Sequence, residues 1–345
     1  MTRVAVVGAT GYAGAELVRI LTDHPEVELA MLTSRQYAGD RFAAIYPGME
    51  TLTDLVCEPL DVKNIRRQAD IVFLALPHKL PMAIAPDLMA GGLRIVDLSA
   101  DFRFSSRNLY ESTYQPHTAP DMLEKAVYGL SEVYREKIAA ADLVGNPGCY
   151  PTTVLLPLVP LVRAGLVDTD CLIADAKSGV SGAGRSPSLT THFCEVNESY
   201  KPYKVADHRH NPEMDEVLSR EADRPVHITF VPHLVPMSRG MLTTIYARPK
   251  PSVSEDDIRD CLRFFYDQAP FVRLCSDTRM PDTRFVRGTN FCDIGMRMDP
   301  ANNWLVLVAA IDNLVKGAAG QAVQNMNLMI GVDEHCGLVS SPYPL

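Results

Sequence analysis

The stretch RVAVVGATGYAGAELVRIL, residues 3–21, decides the fold of the first part of the chain. It opens with an apolar run that ends in glycine, which is typical of a buried parallel strand. The apolar residues that follow have helical spacing, and this pattern stops before Pro25. Between strand and helix lie Gly8, Gly11 and Gly14, in a G-x-x-G-x-x-G arrangement. This order predicts the first unit of a dinucleotide-binding fold.

The glycines of this turn each have a use in binding a dinucleotide. They permit a tight turn, a close backbone approach to a diphosphate, and close packing of the helix on the strand. The helix N-terminus offers N–H groups and a positive dipole end to the anion. The second predicted strand ends at Ser34 and Arg35, and the nearest acidic residue is Asp40. A hydroxyl and a guanidinium suit a 2′-phosphate, so the sequence predicts NADP as the cofactor.

Strands alternate with helices as far as the cysteine at position 149, which predicts a doubly wound parallel sheet. Beyond it, strands follow one another with long loops and few helices, which indicates a mixed or antiparallel sheet. We therefore expect an α/β Rossmann-type dinucleotide-binding domain plus an α+β domain. The predicted strands are 3–9, 27–34, 70–77, 94–100 and 141–148, then 171–179, 226–235, 240–249 and 303–312. The first domain spans 1–148, completed by a C-terminal helix at about 314–345, and the second spans 149–313.

The composition narrows the class of protein. Of 345 residues, 47% are apolar and 22% charged, as in ordinary globular proteins. The net charge of -9 argues against a nucleic-acid partner. The N-terminal apolar run is short and broken by glycines, so we expect neither a signal peptide nor a membrane span. Eight scattered cysteines without a CxxC pair fit reduced thiols. We expect a cytoplasmic protein that binds a small-molecule substrate, with no membrane association.

The segment GNPGCYPT, residues 145–152, places Cys149 between rigid flanks at the predicted domain junction. If Cys149 opens a helix, Pro151 lies in its first turn, where a missing N–H costs nothing. The positive helix end would then lower the pKa of the thiol and raise its thiolate fraction. These features favour a nucleophile over a buried, inert cysteine.

A thiol nucleophile usually has a histidine within reach. His208 and His210 are two residues apart, so on an extended segment they share a face, and Glu213 follows closely enough to orient one of them. Either histidine could carry the proton. Cys149 with two histidines and a glutamate could also form a zinc site, but acyl transfer explains the nucleotide fold as well, and we expect no metal.

Two segments are candidates for binding an anion. Arg103 follows a strand at its carboxyl end, where open α/β sheets bind ligands. The segment 177–187, KSGVSGAGRSP, has small residues whose N–H groups could cradle an anion, and it could equally be a flexible surface loop.

Eight motifs together resemble the N-acetyl-γ-glutamyl-phosphate reductase family (type 1), which is related in fold and chemistry to the aspartate-semialdehyde dehydrogenases. They are VGATGYAGAEL, LTSR, LALPH, DLSADFR, GNPGCYPT, SGVSGAGR, HRHNPE and HLVPMSRG. The resemblance runs from residue 3 to about residue 330, and GNPGCYPT is its most specific part. In the sister family a histidine follows the glycine of the PMSRG segment, whereas this chain has Met241 there. That difference argues against an aspartate-semialdehyde dehydrogenase.

The resemblance implies a reaction and a set of residues. Cys149 would attack the γ-acyl phosphate of the substrate, phosphate would leave, and NADPH would reduce the thioester to the semialdehyde, with His208 managing the proton. A homodimer or homotetramer is implied, with oligomerisation through the second domain. The substrate-binding residues implied are Arg103, Asn146, Ser181, His210 and Glu213. The cofactor-binding residues implied are Gly8, Thr10, Gly11, Tyr12, Ala13, Gly14, Ser34, Arg35, Pro77, Gly179 and Asn313.

Two other functions compete with this one. A reductase of an N-blocked aminoadipyl phosphate would use the same chemistry in a different pocket. An NADP-binding redox sensor without turnover would have no use for His208, Arg103 and an anion loop around Cys149.

Overall fold

A computed structural model of the chain describes residues 1–276 and 278–342. They form two compact units. The first comprises Met1–Pro147 and Ala318–Val339, and the second comprises Gly148–Gly317 and the residues from Ser340 on. Residues 314–317 thus belong to the second unit.

The first unit is built on a seven-stranded parallel sheet of order β3-β2-β1-β4-β5-β7-β6. The strand order changes direction at β1, and ligands of such sheets bind beyond the carboxyl ends of the strands at this point. The strands are β1 (Thr2–Val7), β2 (Val27–Thr33), β3 (Cys57–Glu58), β4 (Ile71–Leu74), β5 (Arg94–Asp97), β6 (Ala126–Tyr128) and β7 (Leu143–Gly145). The helices are α1 (Tyr12–Thr22), α2 (Phe42–Ile45), α3 (Val62–Gln68), α4 (Leu80–Ala90), α5 (Arg107–Thr113) and α6 (Ser131–Ala139).

The central strands of this sheet are buried on both faces. Every residue of β4 is fully buried, as are the last four residues of β1. That burial is why both read as continuous apolar runs instead of alternating patterns. Strands β3 and β6, which the sequence did not predict, contain only two and three residues.

The second unit contains a seven-stranded sheet of order β12-β13-β14-β11-β8-β10-β9. The pairs β8–β10 and β12–β13 are parallel and the others antiparallel. The strands are β8 (Val167–Ser178), β9 (Lys201–Pro202), β10 (Ile228–Leu234), β11 (Met241–Pro249), β12 (Val272–Leu274), β13 (Cys292–Asp299) and β14 (Trp304–Ile311). The helices are α7 (Cys149–Arg163), α8 (Phe193–Val196), α9 (Asn211–Ala222) and α10 (Glu255–Tyr266). The predicted fold class, a Rossmann-type domain plus an α+β domain with a mixed sheet, is confirmed.

Helix α7 is the buried centre of this second unit. It runs from Cys149 to Arg163 and contains Pro157 and Pro160. A proline at 160 removes the N–H that would bond the carbonyl of Leu156, and the hydroxyl of Tyr266 donates to that carbonyl instead. Tyr266 thus satisfies a buried acceptor that the helix cannot satisfy itself.

The chain returns to the first unit through a π-helical turn, Val315–Ala319, and ends there in helix α11 (Gly320–Ile330). This helix is buried, and its polar residues bond within the first unit. Asn325 donates to the carbonyl of Gly129 at 2.8 Å and accepts from the hydroxyl of Ser131 at 2.7 Å. Helix α11 therefore completes the first unit.

Candidate active site

Two glycines of the turn after β1 are required by packing within the protein, independently of any ligand. Gly8 has a φ of +89°, and a Cβ there would lie 2.4 Å from the carbonyl oxygen of Ala75. A Cβ at Gly14 would lie 2.2 Å from the oxygen of Gly8, so α1 can pack on β1 only with glycine there.

Gly11 differs, because a Cβ there would have no neighbour nearer than 3.7 Å. Packing does not demand a glycine at this position, which caps the N-terminus of α1 without a side-chain hydrogen bond. A bare backbone at a helix N-terminus is what a diphosphate needs. The turn therefore fits the dinucleotide.

The other cofactor residues predicted in the first unit follow the carboxyl ends of β1, β2 and β4. Ser34 comes directly after β2, with its Oγ 2.8 Å from the Oγ1 of Thr10, and it accepts from the N–H of Tyr37 at 3.2 Å. Arg35 is exposed. Tyr12 and Ala13 lie in the first turn of α1, and Pro77 is exposed after β4.

We predict that Arg35→Asp lowers the preference for NADPH over NADH. The change removes charge-assisted bonds to a 2′-phosphate, which contribute about 1.5–3 kcal/mol, and adds repulsion. The measurement is the ratio of kcat/KM for NADPH to that for NADH in both proteins. Arg67→Asp, at an exposed arginine on α3, is the control and should leave the ratio unchanged. An unchanged ratio in Arg35→Asp would remove Arg35 from the cofactor site.

Cys149 is the first residue of α7, as the sequence predicted, and it is half-buried. The residue before it, Gly148, is held by its N–H, which donates to Oε1 of Glu213 at 2.9 Å. Cys149 lines a cavity of about 430 Å³ together with His208, His210 and Gly179. The structure therefore brings the thiol and both histidines to one cavity of the second unit.

His208 is buried among aromatic rings. Its ring packs edge-on against Tyr150, Tyr203 and Phe230, with centroid distances of 5.4 to 5.5 Å. Its Nδ1 accepts from the backbone N–H of His210 at 3.1 Å, so the neutral ring carries its proton on Nε2. Burial, and after it the charges of Arg209 and Lys204, lower the pKa of His208 to about 4. Near neutral pH this residue is therefore an uncharged imidazole with an N–H to donate.

Two tyrosines of the cavity lie outside the residues predicted from sequence. The hydroxyl of Tyr203 donates to that of Tyr150 at 3.1 Å, which in turn donates to the carbonyl of His233 at 3.3 Å. Burial raises the pKa of Tyr203 to about 12, so it remains a neutral donor. The only sequence signal for Tyr150 is its position next to Cys149.

The remaining predicted residues fall into two groups. In the first unit, Arg103 is buried, and its guanidinium donates to the carbonyls of Asn146, at 2.7 Å, and of Leu98, at 2.8 Å. In the second unit, Asn313 donates to the Oγ of Ser181 at 2.9 Å and accepts from the N–H of Gly240. Gly179, which lines the cavity of Cys149, donates to the carbonyl of Gly240 at 2.9 Å.

Gly317 is a further residue that sequence reasoning missed. A Cβ at this position would lie 2.8 Å from the Cβ of Cys149 and 3.3 Å from its Cα. The backbone of Gly317 is not left-handed, so its conformation would suit an alanine. The obstacles to a Cβ there are the neighbouring atoms of Cys149 and Ile311. The absence of a side chain at Gly317 therefore leaves room for Cys149 at the start of α7.

We predict that Gly317→Ala displaces the thiol and lowers kcat by about 10²-fold, the cost of misplacing a reacting group by about 1 Å. Thermal unfolding should show that the variant folds. Gly48→Ala is the matched control, because a Cβ at Gly48 meets nothing within 4 Å. Unchanged kcat in Gly317→Ala would show that the helix start tolerates the extra methyl.

Within 1–276 and 278–342, no three His, Cys, Asp or Glu side chains are grouped closely enough to hold a metal ion. In the same part of the chain, no helix is long and apolar enough to cross a membrane.

Known proteins match both units. The family model described as "Semialdehyde dehydrogenase, NAD binding domain" matches residues 3–141, and "Semialdehyde dehydrogenase, dimerisation domain" matches residues 149–313. Among solved structures, aspartate semialdehyde dehydrogenase II of Vibrio cholerae aligns with a TM-score of 0.74 at 18% identity, over 96% of this chain and 98% of that one. An aspartate semialdehyde dehydrogenase of Candida albicans, solved with NADP, aligns with a TM-score of 0.71 at 19% identity, over 96% and 98%. These structures share the fold.

Curated relatives are much more similar in sequence. N-acetyl-gamma-glutamyl-phosphate reductase of Desulforapulum autotrophicum is 59% identical over 99% of both chains. The protein of that name from Syntrophobacter fumaroxidans is 53% identical, also over 99% of both. With similarity of this extent, the chain belongs to the N-acetyl-gamma-glutamyl-phosphate reductase family.

Proposed function

We propose that this chain is an NADPH-dependent acyl-phosphate reductase that converts N-acetyl-γ-glutamyl phosphate to N-acetyl-L-glutamate 5-semialdehyde and phosphate, in arginine biosynthesis. The observation that carries the proposal is a thiol at a helix N-terminus, Cys149, and a neutral imidazole donor, His208, lining one cavity. The 59% identity to a relative of that name supports the choice of substrate.

In the first half-reaction the thiolate of Cys149 attacks the acyl carbon. A C–S bond forms, the C–O bond to the phosphoryl group breaks, and phosphate leaves with the bonding electrons. The positive end of α7 faces the thiolate and any oxyanion formed at the acyl carbon. The bond between the Gly148 N–H and Glu213 fixes the backbone immediately before the nucleophile.

In the second half-reaction the carbonyl carbon of the thioester is reduced. When bound, NADPH supplies the hydride. The product is an alkoxide on a carbon still bonded to the sulfur of Cys149, and the Nε2–H of His208 stabilises this charge by donating a hydrogen bond. The C–S bond then breaks, the aldehyde leaves, and the thiolate is restored. This role differs from the proton exchange expected from the sequence, because burial keeps His208 neutral.

We assign the remaining residues by their surroundings. For phosphate we propose Arg103 and Asn146, since the carbonyls of Asn146 and Leu98 orient the guanidinium. For the rest of the substrate we propose Ser181, His210 and, acting through Gly148, Glu213. For the cofactor we propose the glycine turn with Ser34 and Arg35, together with the other predicted positions. Those positions are Thr10, Tyr12, Ala13, Pro77, Gly179 and Asn313.

An assay in the phosphorolytic direction tests this function. It combines the enzyme with N-acetylglutamate semialdehyde, phosphate and NADP⁺ and follows the formation of NADPH. The N-acetylaminoadipate semialdehyde homologue is assayed in parallel. We expect a much higher kcat/KM for the glutamate compound. A preference for the homologue would establish the aminoadipyl alternative, and NADP⁺ binding without turnover of either would establish a redox sensor.

We propose further that the protein is a cytoplasmic homodimer or homotetramer. The chain has eight free cysteines, and a reducing compartment such as the cytoplasm keeps thiols in this state. The second sheet has one buried face and one half-exposed face, and the latter carries apolar side chains on adjacent strands, including Leu242, Tyr246 and Val306. A second copy of the chain covering this face would bury them. Sedimentation at micromolar concentration would measure the oligomeric state.

A further inference from the structure

The cavity that contains Cys149 and His208 is also lined by three cationic residues without an assigned role, Lys201, Lys204 and Arg209. The Nζ of Lys201 donates to the carbonyl of Glu195, which leaves Lys204 and Arg209 as the candidates for a ligand. Among the described residues that line this cavity there is no aspartate or glutamate. The chain as a whole carries a net charge of -9, so this concentration of positive charge is local. A cavity with such a lining attracts an anion.

The backbone holds Lys204 in an unusual conformation. Lys204 has a φ of +44° and Ala206 a φ of +53°, left-handed values that side chains with a Cβ rarely adopt. Three backbone bonds fix this turn. The N–H groups of Tyr203 and Ala206 donate to the carbonyls of Pro232 and Phe230 at 3.0 Å, and the N–H of Asp207 donates to the carbonyl of Lys204. Strain that is retained in a turn beside a reactive thiol points to a function for the turn.

Arg209 is placed by its neighbours in sequence. His208 and His210 are both buried, whereas Arg209 between them is exposed and lines the cavity. The bond from the His210 N–H to Nδ1 of His208 fixes the backbone on either side of Arg209. The charges of Arg209 and Lys204 both lower the pKa of His208.

We propose that Lys204 and Arg209 form a subsite for the α-carboxylate of the acyl substrate, the charged group at the end remote from the reacting carbon. This inference rests on the proposed function, whose substrate carries one carboxylate besides its acyl phosphate. Once phosphate has left, that carboxylate is the only charge on the acyl group attached to Cys149. A subsite that binds it therefore holds the acyl chain through both half-reactions.

The test combines enzyme variants with a changed substrate. Arg209→Leu and Lys204→Asn are assayed in the phosphorolytic direction with N-acetylglutamate semialdehyde and with its α-carboxamide, in which the charge is removed. Asparagine is chosen because it tolerates a left-handed backbone, which separates the charge of Lys204 from its conformation. Arg209→Lys restores a cation. Lys250→Asn, at an exposed lysine outside the cavity, is the control for net charge.

We expect the wild type to prefer the carboxylate, and each variant to lose about 10- to 100-fold in kcat/KM on it, the range for bonds to a charged group. On the carboxamide, variants and wild type should differ little. Arg209→Lys should recover part of the loss, Lys250→Asn should change nothing, and the KM for phosphate should be unaffected.

Three results would overturn the subsite. The first is an equal loss of kcat/KM on the carboxylate and on the carboxamide in the variants. The second is a wild type that does not prefer the carboxylate. The third is a rise in the KM for phosphate in the variants that matches the rise in the KM for the aldehyde. A wild type that prefers the aminoadipate homologue would instead contradict the proposed substrate. The homologue bears the same carboxylate, so the comparison with its own carboxamide would then decide on the subsite.

Discussion

Replacing Cys149 with serine should abolish both turnover and the covalent acyl-enzyme, while NADPH still binds. A serine hydroxyl is scarcely ionised near neutral pH, even at a helix N-terminus, so no nucleophile of comparable strength remains. The cofactor residues proposed in the first unit are unchanged in this variant. Cofactor fluorescence should therefore give an unaltered dissociation constant for NADPH, which separates loss of chemistry from loss of folding.

The decisive measurement is mass spectrometry of enzyme that has reacted with acyl phosphate in the absence of NADPH and has then been quenched. Without a reductant the thioester accumulates, and an acyl adduct should appear on the peptide that contains Cys149. Cys194→Ser, which removes an exposed cysteine, should retain that adduct and full activity. Persistent turnover with the adduct on another of the eight cysteines, or with none, would exclude Cys149 as the nucleophile.

The local structure that the sequence predicted correctly, around the glycine turn and at Cys149, depends on residues that are close together in the chain. The glycine turn follows its own strand and precedes its own helix, so a short segment contains all the necessary signals. Cys149 begins α7 because Gly148 and Pro151 suit a helix start wherever they occur. The buried strands were recognised because burial on both faces leaves a continuous apolar run.

The parts that the sequence did not reveal depend on distant contacts. Gly317 is far from Cys149 in the chain, and only the folded second unit brings their atoms within van der Waals distance. Lys204 lies in an irregular turn whose position is set by backbone bonds to β10. Helices α9 and α10 were also not predicted, although Ile258, Leu262 and Tyr266 of α10 recur at helical spacing in the sequence.

The charge state of His208 is also a product of the tertiary structure. Its neighbours in sequence include Arg209 and Asp207, which say nothing about its burial. The rings of Tyr150 from α7, Phe230 from β10 and the nearby Tyr203 surround it, and this burial disfavours the imidazolium. The proton exchange predicted from sequence for His208 stays a prediction, and the folded unit adds a lowered pKa and an N–H on Nε2 that can donate.

His208→Asn should lower kcat by about 10²–10⁴-fold while the acyl adduct on Cys149 still forms. The asparagine oxygen can still accept from the His210 N–H, but the donor at Nε2 is lost. His208→Gln, whose longer side chain extends an amide nitrogen further into the cavity, should lose less. His210→Asn should also cost less, since that side chain positions substrate in our scheme. Equal losses in all three variants would indicate a structural role for the pair.

The protonation of His208 can also be followed through the pH dependence of stability and of kcat/KM. Its pKa is lowered from 6.5 to about 4, so between these values the unfolded chain binds more protons than the folded one. Stability therefore falls as the pH is lowered from 6.5 towards 4, by about 1.4 kcal/mol per unit and about 3 kcal/mol in all. In His208→Asn this component of the pH dependence of unfolding should disappear. The acid limb of kcat/KM should be the same in wild type and variant. A limb near pH 6.5 that is lost in His208→Asn would show that His208 titrates with an ordinary pKa and works by proton exchange.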